Sequence, residues 1–261
     1  MTIQFGSGGD NVLNIGGTSV TFNNSSGFWG DITLSGRISR TGTGVIFALG
    51  NGASITSSVS ASGGEFRMTG SAELTIIGGT ISNGIGGCVV HNSTGLLTIS
   101  GGIFSSGSSN GTIRLQNADS RMEMSGGTVR YVMENNPDRF AIWVQSDHEN
   151  AVIISGGTVG SMDVNSVHGG TITEFPGMAI RSTGTGGITI RGNALITSRS
   201  TSNGTIKLEN ATGGSLRIEG GSVRNRNPTN NNPAGPAITR AGSQTVTRTG
   251  GTINPMPEWL N

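Results

Sequence analysis

The chain has 261 residues, 46 of them Gly and 7 Pro, with 12% charged and 5% aromatic residues and a formal net charge of +1. That balance excludes the charge-rich or proline-rich signature of disorder and gives no electrostatic reason to expect a nucleic-acid partner. No run of 18 apolar residues occurs, so no membrane insertion is expected, and Met1 to Phe5 is neither basic nor hydrophobic enough for a secretory signal.

In chain order, a segment of the type Leu-Thr-Ile-Ser-Gly-Gly-Thr-Ile returns ten times at intervals of about 16 to 36 residues. It is worn at Leu13, Ile32 and near Gly52, and stands as LTIIGGTI from Leu74. It is plain at Leu97 to Phe104, Met122 to Val129 and Val152 to Val159, worn again at Ile188, and plain at Leu216 to Val223 and Val246 to Ile253. Between copies lies a second element, Gly-x-Ile-x-Leu-x-Asn, clearest in Gly111 to Asn117 and Gly204 to Asn210, with versions at Gly64, Gly86, Phe140, Met178 and Pro236. In this alignment Cys88 falls where Ile113 and Ile206 fall, which predicts an inward, reduced, structural thiol. A single cysteine permits no internal disulfide.

Apolar residues alternate with polar ones in each copy, as in Leu97, Ile99 and Ile103, the period of a strand with one buried face. The Gly-Gly pair tolerates positive φ and close backbone approach, so it bends the chain between two short strands. Such units stack as a parallel β-helix. The expectation is an all-β, single-domain β-solenoid of about ten coils over residues 1–253, with a short tail over 254–261. It is expected to be right-handed, as crossovers between parallel strands are, and on the order of 50 Å long. Spacing between the elements varies mainly on one side, which confines insertions to one corner.

The two elements, covering nearly the whole chain, resemble the Gly-rich repeats of bacterial surface and adhesin-like proteins with the pectin-lyase type of β-helix. The resemblance implies a solenoid and leaves activity open, since that superfamily holds polysaccharide lyases and hydrolases, adhesins, autotransporter passengers and phage tailspikes. The polygalacturonase-like motifs Asn-Thr-Asp, Asp-Asp, Gly-His-Gly and Arg-Ile-Lys are absent. The nearest strings are Val167-His168-Gly169-Gly170 and Arg217-Ile218-Glu219. Pectate-lyase chemistry would need clustered Asp for calcium, yet the six Asp, at 10, 31, 119, 138, 147 and 163, are never adjacent in sequence. No enzyme, cofactor or metal is therefore expected.

Other residues invite binding roles. Between the apolar positions of the second element an outward row reads Arg67, Val89, Arg114, Trp143, Arg181, Lys207 and Thr239. At about 4.8 Å spacing, its Arg67, Arg114, Trp143, Arg181 and Lys207 form either a shallow track for an acidic polysaccharide or a solubilising basic row. The stretch from Tyr131 to Phe175 gathers Glu134, Asp138, Asp147, His148, Glu149, Asp163, His168 and Glu174, either a carbohydrate or metal site or a solvated insertion. Thr33, Thr75, Thr98, Thr189 and Thr247 form an interrupted threonine column of the kind that could order water, and Asn92, Asn117 and Asn210 are expected to share a structural ladder.

Solenoid ends need covering, because a bare coil presents unpaired backbone groups and apolar side chains. The repeat begins at once with Thr2-Ile3-Gln4-Phe5 and is complete at Gly250 to Ile253, leaving a tail too short for a capping helix. Either the chain is cut from a longer solenoid or copies pair head to tail, making a homo-oligomer or open filament. The residues expected at that junction are Ile3, Phe5, Val246, Ile253, Trp259 and Leu260. The functional expectation is a non-enzymatic structural solenoid forming an extracellular or cell-surface fibre or stalk. The alternatives are an adhesin or polysaccharide-binding module, and then a polysaccharide lyase, hydrolase or tailspike-like protein.

Overall fold

The computed structural model describes residues 66–260, apart from 72, 77, 84–85, 164, 166–171, 211 and 227–234, and the backbone of six strands before residue 66. Its strands form three parallel sheets of nine, and each coil contributes one strand to each sheet. Within the fully described region sheet A runs through Phe66–Gly70, Val89–Ser93, Ile113–Leu115, Phe140–Val144, Met178–Ser182, Ile206–Leu208 and Ile238–Arg240. Sheet B takes the strand before each glycine bend, from Leu74–Ile76 to Thr245–Arg248, and sheet C the strand after it, from Thr80–Asn83 to Thr252–Asn254. All strand neighbours in the sheets pair in parallel, so the chain is a parallel β-helix, as the repeats predict.

The core is a set of side-chain columns. Phe66, Val89, Ile113, Ile142, Ile180, Ile206 and Ile238 pair in succession along sheet A, and all are buried. Ile76, Ile99, Met124, Ile154, Ile190 and Ile218 do the same in sheet B. Sheet C supplies Ile81, Phe104, Val129, Val159, Ile196, Val223 and Ile253. Because a strand alternates faces with period two, an in-register parallel stack puts like on like, and each coil covers the one before it.

The bends behave as the Gly-Gly pairs predict. Gly127 has φ of 82°, and a Cβ on its neighbour Gly126 would lie 2.4 Å from the Ser100 carbonyl oxygen of the adjacent coil. The long excursions, 162–177 and 226–237, both lie between a sheet C strand and the next sheet A strand. The insertions therefore fall at one corner, as expected.

The described strands number nine per sheet, against ten repeat copies counted in the sequence. The difference arises near the N-terminus. Val12–Asn14, part of the worn copy at Leu13, belongs to sheet A, and Gly30–Thr33, part of the copy at Ile32, belongs to sheet C. Neither is the sheet B strand that precedes a bend.

Candidate functional site

The outward row on sheet A is real but shifted at one coil. Arg67 pairs with Val90, and Val90 with Arg114, so Val90 holds the place assigned above to Val89. Beyond it Arg114, Trp143, Arg181, Lys207 and Thr239 follow in register. The same shift aligns Val89 with Ile113, leaving Cys88 one residue earlier, at the corner. Cys88 is still fully buried, with its Sγ 3.4 and 3.3 Å from the Ile81 and Ser105 carbonyl oxygens.

In-register stacking puts the row's side chains on one another. The Arg114 guanidinium lies 4.5 Å from the Trp143 ring centroid and that of Arg181 lies 5.3 Å from it, so the residues on both neighbouring rungs direct cations at the indole. Arg181 also lies 5.3 Å from the buried Phe140 ring, which meets Trp143 edge-on at 5.5 Å. The indole Nε1–H donates to Thr183 Oγ1 at 2.9 Å. Arg114 Nε donates to Gln145 Oε1 at 2.6 Å, and burial without a carboxylate partner among the described residues lowers the Arg114 pKa. Glu209 accepts from Arg181 Nη2 and from Lys207 Nζ, both at 2.7 Å. The two cations hold the Glu209 carboxyl below its ordinary range even though burial acts in the opposite direction.

Gln145 and Glu209 were absent from the sequence-based row. They occupy the turns just past Val144 and Leu208, and only the stacking register shows that they face the cations. Trp143 consequently offers a sugar ring less open face than a lone exposed indole would.

The acidic and histidine cluster of Tyr131 to Phe175 does not assemble. Asp147, His148 and Glu149 lie at the corner between sheets A and B, whereas Glu134, Asp138, Asp163 and Glu174 lie at the corner between sheets C and A. His168 is outside the described residues. Asp147 accepts from the backbone N–H and hydroxyl of Thr185 at 2.7 and 2.8 Å, and Asp138 from Asn203 at 3.0 Å. Glu174, its side chain 3% exposed, accepts from Thr197 at 2.9 Å and from Arg224 at 3.0 Å. It sits in an excursion that folds back on itself through an antiparallel bridge between Met162 and Glu174. Among the described residues no three His, Cys, Asp or Glu side chains come together as a metal site would require.

The threonine column also divides. Thr75, Thr98, Thr189 and Thr247 share one outward column of sheet B with Glu123, Ile153 and Arg217, while Thr33 belongs to a sheet C strand. Asn117 and Asn210 each accept from the backbone N–H two residues on, at 2.9 Å in both cases. They form local Asx turns and do not stack on one another, although Asn210 Nδ2 also donates to the Thr183 carbonyl oxygen of the preceding coil at 3.2 Å. Asn92 pairs with Thr69 inside a strand, one place out of step with them.

Of the expected junction residues, Ile3 and Phe5 lie outside the described residues. Ile253 is 7% exposed, and Val246 and Leu260 pack against the same core. Trp259 is 40% exposed, with the Arg240 guanidinium 4.2 Å from its ring centroid. Comparison with protein-family models, with curated proteins and with solved structures finds no match.

Proposed function

We propose that the chain is a non-enzymatic structural β-solenoid, a stiff rod serving in an extracellular fibre or stalk. The observation that supports this reading is that the chemically distinctive side chains are bonded to one another along or across the stack. Arg114, Trp143 and Arg181 form one ladder, Arg181, Lys207 and Glu209 a second contact, and Glu174, Thr197 and Arg224 a third. Carboxylates paired in this way are not arranged as an acid and a base flanking an open cleft. Nine rungs at about 4.8 Å correspond to a described rod of about 40 Å. The test is incubation of purified protein with neutral and acidic polysaccharides, reading reducing ends and unsaturated products. No product above buffer is expected, and steady turnover would overturn the reading.

A second reading, binding of an acidic polysaccharide at the sheet A row, is favoured by Arg114, whose polar partner is the neutral Gln145. With guanidiniums on both sides of Trp143, recognition would be ionic rather than by stacking. On a glycan array Arg114→Ala would then abolish binding to uronate or sulfate glycans, and an empty array for the unaltered protein removes this reading.

A further inference from the structure

We infer that the rung made by Ile238–Arg240, Thr245–Arg248 and Thr252–Asn254 is closed to another coil, so that a second copy of this chain cannot stack upon it. This deepens the structural-rod reading and rests on it. The first observation is a switch of residue type inside the core columns. In sheet B the inward position that is Ile218 on one rung is Arg248 on the next, and in sheet A Leu208 is followed by Arg240.

A coil laid on this rung would enclose both guanidiniums among apolar side chains. Neither has an ion-pair partner among the described residues, so both charges would be desolvated with no opposite charge to offset the cost. In place of a further coil, Arg248 Nη2 donates to the Gly251 carbonyl oxygen and Arg240 Nη1 to that of Gln244, both at 2.8 Å. Charge at the inward register position of an edge strand, here carried by two exposed side chains, is a known means of refusing strand addition.

The second observation is that the tail already bonds to the backbone just before the sheet A edge strand Ile238–Arg240. Thr205 N–H donates to the Ala237 carbonyl oxygen at 2.9 Å, and one rung on Ala237 N–H donates to the Pro255 carbonyl oxygen at 3.3 Å. Pro255 thus begins the next rung, but it and Pro257 have no N–H with which to continue a ladder. The chain then makes a 3-10 turn over Glu258–Leu260, lays Met256 and Leu260 on the core and sets Trp259 against Arg240. Of the residues expected to join two copies, Val246, Ile253 and Leu260 pack on the core of their own chain and Trp259 lies against Arg240.

The test is hydrogen exchange on the unaltered protein at low and high concentration. Amides of Thr245–Arg248 and Thr252–Asn254 should exchange at rates agreeing within about twofold. Protection there that climbs with concentration overturns the inference. A second arm carries Arg240→Leu and Arg248→Ile and lacks residues 255–261. Provided circular dichroism shows it folded, it should gain concentration-dependent protection at those strands and sediment as longer rods. A folded variant whose edge amides stay as open as those of the parent also overturns it. Enzymatic turnover would sink the structural reading and leave these exchange rates unchanged, so the two failures are distinguishable.

Discussion

His91 Nε2 lies 2.9 Å from the carbonyl oxygen of Gly95. A carbonyl only accepts, so this nitrogen donates and carries the proton of a neutral ring. The ring occupies the inward position between Met68 and Leu115, fully buried, and its Nδ1 has no hydrogen-bond partner. An otherwise apolar segment of the column has accepted a polar ring, in its uncharged form.

Acid should therefore loosen the solenoid through His91. Burial outweighs the Gly95 and Arg121 backbone groups that favour the charged ring and lowers its pKa from 6.5 to about 4. With the folded value depressed, the stabilisation is complete above pH 6.5 and declines as the unfolded chain takes up the proton between there and about pH 4. The loss attributable to this residue is about 3 kcal/mol. Chemical denaturation across that range should show the slope in the parent and a flatter one in His91→Leu. Parallel slopes would disprove the assignment.

The bends are predicted to reject any side chain where coils meet most closely. Gly157 has φ of 79°, and a Cβ there would fall 2.5 Å from the Gly127 carbonyl oxygen. Gly157→Ala should cost about 3 kcal/mol from left-handed strain plus overpacking. Gly213 is the control, since its added Cβ would first meet Thr185 Cγ2 at 3.4 Å. Gly213→Ala should leave the thermal midpoint within a degree or so of the parent, by roughly the small effect of an unstrained surface change.

Burial should separate the two carboxylate pairs. Glu174→Gln leaves Arg224 beside a neutral partner in a nearly closed site and should cost about 3 kcal/mol. Glu209→Gln acts on Arg181 and Lys207 at the surface, where an ion pair contributes under about 1 kcal/mol, and its effect should shrink further in salt. Urea titrations giving equal losses would contradict the placement of Glu174.

Cys88 should behave as an inert core atom. Fully buried at the corner, it should not react with a thiol reagent in the native protein and should react completely once unfolded. Modification at the rate of a free thiol under native conditions would show that this corner opens.

The solenoid itself was legible because stacked parallel coils repeat one pattern, and Ile113, Ile142, Ile180 and Ile206 announce a column before any coordinate is known. The slip at Val89 has a simple origin. Val89 and Val90 are adjacent and alike, so alternation does not say which faces inward. The closure at Arg248 was also present in the repeat, where Val246 to Ile253 reads VTRTGGTI against the VIISGGTV of Val152 to Val159. Reading it required knowing that the third position points into the core.

Local pattern alone determined that the strands are short, that paired glycines bend them and that aliphatic positions recur, because φ freedom and two-residue alternation are properties of neighbouring residues. Which distant side chains meet was decided by the stacking. Register places Arg114 against Trp143 and Glu209 against Arg181, and the excursion after Ser161 brings Glu174 to Arg224. Those pairs lie 28 to 50 residues apart where hydrogen-bonded, and no repeat position encodes a loop residue's partner. Contacts across coils depend on the length of every intervening corner, a sum that the spacing of motifs approximates and the folded chain resolves.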